Sequence, residues 1–77
     1  MNKDIIKGNW KEVKGKLKQQ WGKLTDDTIS KMSGTYDELE GHLQKAYGYE
    51  RDQAKKEIEQ FVKLNRLEER TLDESDV

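Results

Sequence analysis

Apolar positions recur along the chain at helical spacing. Trp10, Val13, Leu17, Trp21 and Leu24 are spaced 3, 4, 4 and 3 residues apart, which lays one stripe down the side of a helix. Gly22 stands where a left-handed cap would end that helix. Leu24-Thr25-Asp26-Asp27 then reads as a new start, with Thr25 or Asp26 accepting from free backbone N–H groups and the acids complementing the helix dipole. This second, short helix carries Ile29 and Met32 inward and stops near Ser33-Gly34. Tyr36, Leu39, Leu43 and Tyr47, spaced 3, 4 and 4, predict a third helix running to Gly48. Asp52 is placed to cap a fourth, whose inward face is Ala54, Ile58, Phe61 and Val62, with Leu64 and Leu67 near its frayed end. Proline is absent, and no segment alternates apolar and polar residues as a half-buried strand does.

The chain resembles itself at an offset of 26 residues, which pairs Gly8 with Gly34, Glu12 with Glu38, Gly15 with Gly41, Leu17 with Leu43, Gly22 with Gly48 and Asp26 with Asp52. Trp10 with Tyr36, Val13 with Leu39, Trp21 with Tyr47 and Met32 with Ile58 are conservative pairs in the same register. A duplicated helical hairpin explains this pattern, since one copy alone is too small to bury its apolar face. The predicted fold is all-α, a four-helix bundle of two crossed hairpins packed through their stripes. All six glycines belong to the repeat, and Gly15 and Gly41 fall inside helices, opposite the stripes. Close approach by a partner and simple tolerated flexibility both remain open as reasons for them.

Composition narrows the possibilities. Seventy-seven residues make one domain, and 31 % hydrophobic against 40 % charged residues leaves a thin core and marginal stability. Residues 1–67 are expected to form that domain. The acidic stretch 68–77, with five acids and one arginine, has too little apolar content to fold and is expected to be disordered. No cysteine is present and there is a single histidine, so disulfides and the usual structural zinc sites are excluded. No apolar run has the length of a membrane span, and none at the amino terminus reads as a signal peptide. The expected location is the cytoplasm.

The net charge of −1 hides an asymmetry, with +5 over residues 1–24, −2 over 25–67 and −4 over 68–77. Lys7, Lys11, Lys14 and Lys18, spaced 4, 3 and 4, form a basic ridge beside the aromatic stripe. This ridge is the candidate anion-binding site, an edge for nucleic-acid phosphates or an anionic surface. The repeat favours instead a solvated helix face, because the counterparts of Lys11, Lys14 and Lys18 are Asp37, Glu40 and Gln44. Trp10 and Trp21 read as core anchors rather than ligand-stacking platforms. Candidates for catalysis are thin. His42 beside the third stripe reads as a solvated rim residue, and the Asp26-Asp27 pair reads as capping. Tyr47 and Tyr49 join no recognisable constellation. Serines 30, 33 and 75 have no histidine near them in any nucleophilic pattern. No catalytic, cofactor-binding or metal residues are therefore assigned, no small-molecule substrate is expected, and the chain is read as non-enzymatic.

The stretch Gly8-Asn9-Trp10-Lys11, Gly15-Lys16-Leu17-Lys18 and Trp21-Gly22-Lys23-Leu24-Thr25-Asp26-Asp27 closely resembles the signature of the CsbD-like family of small bacterial stress proteins. The resemblance continues through Gly34, Leu39-Glu40-Gly41, Tyr47-Gly48-Tyr49, Asp52-Gln53-Ala54 and Glu57, covering about residues 1–66. It implies an abundant cytosolic protein induced by general or osmotic stress. The fold it implies is similar to SAM-like bundles, and it implies no known reaction. A hydrophilin-like protectant role follows as the expected function, with a binding module for nucleic acid or anionic surfaces as the alternative.

Overall fold

A computed structural model describes residues 3–67. They form five helices, α1 Asp4–Gly8, α2 Trp10–Gln20, α3 Asp26–Lys31, α4 Tyr36–Tyr47 and α5 Arg51–Leu64, with no strand among the described residues. The count exceeds the expected four because a short helix precedes the first stripe. Asn9 separates it from α2, since its backbone N–H and its Nδ2 both donate to the Ile5 carbonyl, at 3.1 and 2.9 Å. That arrangement closes α1 and lets Ile6 drop into the core.

Side chains and burial set most of the other boundaries. α2 ends at Gln20, before Gly22, and Gly22 takes no left-handed conformation. Trp21 is the cap instead, leaving helical geometry at φ −130° so that its buried indole packs on Phe61 with ring centroids 5.1 Å apart. The expected glycine cap is thus corrected, because indole burial sets the exit from the helix. Thr25 caps α3 by accepting from the Thr28 N–H at 3.1 Å, as its position suggested. α4 begins with a reciprocal capping box between Thr35 and Glu38 and ends at Gly48, whose left-handed φ of 71° lets its N–H reach the Gln44 carbonyl at 2.8 Å. α5 starts after Glu50, which makes no side-chain cap, so Asp52 lies inside the first turn. The cap expected of Asp52 is not made, and its carboxylate complements the helix dipole from within.

Shifted by 26 residues, α2 falls on α4, and α3 falls on the first half of α5. α4 packs along α5, α3 against α2, and α1 touches both α2 and α4. The core fills from each stripe, with Val13, Leu17, Trp21 and Leu24 meeting Leu39, Leu43, Ile58, Phe61 and Val62. Trp10 and Tyr47 stop half-buried at its margin. At the carboxyl end Asn65 Nδ2 donates to the Phe61 carbonyl at 2.9 Å, and Arg66 turns through φ 53°, which returns Leu67 to full burial. Leu64 points outward. The expected acidic tail, 68–77, lies outside the described residues.

Candidate functional site

The basic ridge is divided by the break at Asn9. Lys7 belongs to the last turn of α1, while Lys11, Lys14 and Lys18 stand on α2, and all four are exposed. At 100° per residue the three on α2 lie within about 60° of one another, flanking the buried Val13–Leu17 stripe on its Leu17 side, and Gly15 lies beyond them, opposite that stripe. Lys18 reaches Asp26 at the start of α3, Nζ to Oδ2 3.1 Å, an exposed pair of the kind that contributes at most about 1 kcal/mol. Lys7, Lys11 and Lys14 make no ion pair among the described residues. A shallow groove of about 500 Å³ runs over Gly15 between Lys14, Lys18, Gln19, Asp26 and Ile29. A Cβ added at Gly15 would meet nothing within 4 Å.

Other lysines are committed to contacts within the chain. Lys16 donates to Asn65 Oδ1 at 2.9 Å and tethers α2 to the end of α5. Lys3 pairs with Asp37 at 3.1 Å and lies over the Tyr36 ring. Lys23 lies over the Tyr47 ring, 5.0 Å from its centroid, and its backbone N–H donates to the Tyr47 hydroxyl at 3.2 Å. Tyr47 stacks on Tyr49 at 5.2 Å with the rings 8° from parallel. Burial, reinforced by Glu57 and Tyr47, raises the Tyr49 phenol above its ordinary pKa.

Two carboxylates stand out that the pattern of residues did not single out. Glu40 lies on α4 with its side chain only 8 % exposed, and its Oε1 forms an ion pair with Arg51 Nε on α5 at 3.3 Å. Its Oε2 is buried with no hydrogen-bond partner. Burial of Tyr36, aided by the negative charges of Glu40, Glu59 and Asp37, holds that phenol above its usual range. Glu38 serves both sides of the α3–α4 turn, its Oε1 accepting from the Ser33 hydroxyl at 2.7 Å and the Thr35 backbone N–H at 3.3 Å. Those donors, Ser33 Oγ foremost, lower its pKa to about 2. The Thr35-x-x-Glu38 spacing before an apolar run is a sequence signal for this box. No local pattern announces the Glu40–Arg51 pair, which depends on how α4 meets α5.

The sequence-level catalytic candidates are dispersed. His42 is half-buried on α4, Asp26 pairs with Lys18, and Asp27 pairs with Lys31 at 3.0 Å. Ser30 donates to the Asp27 carbonyl and Ser33 to Glu38. Among the described residues no group of three His, Cys, Asp or Glu side chains could hold a metal, and no helix is long and apolar enough to cross a membrane.

The sequence profile described as CsbD-like matches residues 4–56. The chain belongs to the CsbD-like family. The UPF0337 protein YjbJ of Escherichia coli is 54 % identical over 63 residues, covering 82 % of this chain and 91 % of that protein. YjbJ of Salmonella typhimurium is 57 % identical over 58 residues, 75 % of this chain and 83 % of its own length. A UPF0337 protein of Protochlamydia amoebophila is 46 % identical over 66 residues, 86 % of this chain and all of its own. Within this CsbD-like chain the family match ends inside α5, yet Ile58, Phe61, Val62 and Leu67 beyond it complete the core. The lysine face of α2, Gly15 and the Glu40–Arg51 pair all lie within the matched span.

Proposed function

We propose that this CsbD-like chain is a non-enzymatic stress-response protein of the cytoplasm, acting as a hydrophilin-like protectant when water becomes scarce. The observation that carries the reading is the surface. Leu64, 73 % exposed, is the exposed large hydrophobic among the described residues, and the other large apolar side chains are buried or half-buried. With 40 % charged residues and a mean hydropathy of −1.21, such a surface binds water strongly and offers little to which partly unfolded neighbours can adhere. In the same reading residues 1–67 are one domain of two crossed hairpins, α2–α3 and α4–α5, similar to SAM-like bundles. Stretch 68–77 is an acidic appendage. The matching placement of helices at an offset of 26 residues supports the duplication.

Removing the protein from its host and measuring survival after osmotic upshift tests this role. Reduced survival, restored by the wild type and equally by His42→Ala, is the expected outcome. Unchanged survival under osmotic and drying stress would overturn it. Restoration by the wild type but not by His42→Ala would point to an enzyme.

A further inference from the structure

We propose that the solvent face of α2 is a docking surface for the phosphodiester backbone of a nucleic acid, built from Lys11, Lys14 and Lys18 around Gly15. The three ammonium groups project from one side of the helix over about 10 Å, at 1.5 Å rise per residue. That length is comparable to about three phosphate-to-phosphate steps of one duplex strand, each about 3.4 Å along the axis. Lys11 and Lys14 are exposed and without an ion pair among the described residues, unlike Lys3, Lys16 and Lys31, which are held by acids or amides of the chain itself. Lys18 is held only by a solvent-exposed Asp26, a contact that a phosphate displaces readily.

Gly15 gives this face its shape. Nothing lies within 4 Å of where its Cβ would be, so packing inside the chain does not call for a glycine there. Without a side chain, the groove between Lys14, Lys18 and Gln19 stays open to a backbone approaching from solvent.

The distribution of charge orients the encounter. α2 carries four lysines against Glu12, whereas α4 carries Asp37, Glu38 and Glu40 against Lys45, so the molecule attracts a polyanion on one side and repels it on another. An anionic membrane fits less well. A helix that lies in a lipid surface needs apolar side chains beside its basic face, and Val13 and Leu17 of α2 are fully buried in the core, while the exposed Leu64 is on α5.

The test uses the full chain with a fluorescent oligonucleotide of ~30 bases, single-stranded and duplex, and with phosphatidylserine vesicles, from about 50 to about 200 mM salt. Expected is nucleic-acid binding at the lower salt that weakens about 40-fold across this range for duplex, the slope of three neutralised phosphates. The triple variant Lys11→Glu, Lys14→Glu, Lys18→Glu should lose the binding. A control with the same charge change on other helices, Lys45→Glu, Lys56→Glu, Lys63→Glu, should bind more tightly than that variant. Circular dichroism verifies folding, and Lys11→Gln, Lys14→Gln, Lys18→Gln replaces the first variant if it unfolds, with the same expected loss. No binding at the lower salt, equal loss in both triple variants, or binding to vesicles alone would overturn the proposal.

Discussion

The Trp10 indole lies against Gly34 so closely that a Cβ at Gly34 would come within 2.8 Å of Trp10 Cγ. Gly34 also has φ +102°, a conformation that residues with a Cβ rarely adopt. α2 and the turn into α4 therefore meet through a ring on one side and bare backbone on the other. Gly34→Ala should destabilise the fold by about 2–4 kcal/mol, from backbone strain and overpacking together. Gly8→Ala, at the position paired with Gly34 in the repeat but facing open space, should stay within about 0.5 kcal/mol of the wild type. Urea unfolding with an unchanged m-value reads both.

Gly15 and Gly41 behave oppositely to Gly34. Both lie inside helices, exposed, with nothing within 4 Å of an added Cβ. Alanine at either site should stabilise the protein by about 0.5–1 kcal/mol, chiefly by restricting the unfolded chain. Thermal unfolding of the single and double variants gives the measurement, with additivity expected because the sites share no partner.

Glu40 depends on Arg51. Arg51→Ala leaves a buried carboxylate without its cation and should cost about 1–3 kcal/mol, discounted from the cost of a fully buried pair because Arg51 is 67 % exposed. Glu40→Met should be near neutral or stabilising, since an apolar side chain of similar volume removes a buried oxygen that has no hydrogen-bond partner. In the Glu40→Met background Arg51→Ala should cost little. A double-mutant cycle in urea therefore isolates the pair.

Glu38 makes stability depend on pH in a defined window. Its folded pKa is lowered, so the native state favours the charged form. The contribution is complete above the unfolded value, near 4.5, and is lost as pH falls through about 2. The stability difference between the wild type and Glu38→Gln should be constant above the upper value and shrink steadily below it. Unfolding measured at a series of acidic pH values supplies the curve, and a difference independent of pH would remove Glu38 from the acid response.

The apolar stripes made the helices and most of the core legible because burial and helical period act on the same residues. Leu39, Leu43, Ile58 and Phe61 are all buried where their spacing put them. The repeat was informative about element positions but not about environments. Gly34 meets an indole while Gly8 faces open space, and Gly48 is left-handed while Gly22 is not, because each is governed by what the other half of the chain brings against it. Asn9 looks like any polar residue within a basic helix, and its side-chain bond to Ile5 is what divides Lys7 from the ridge. Leu64 and Leu67, which spacing placed together at the frayed end, part company, Leu64 exposed and Leu67 buried, since Arg66 reverses the backbone between the end of α5 and the core. Glu40 on α4 and Arg51 on α5 come together only when the two helices pack.

The most direct test of the protectant role is to dry a labile enzyme with the purified protein and with an equal mass of an inert globular protein, then rehydrate and assay both. Recovery well above the inert control, unchanged by His42→Ala and retained by Arg51→Ala as long as that variant is folded, is the expected result. Recovery no better than the inert control would contradict the account.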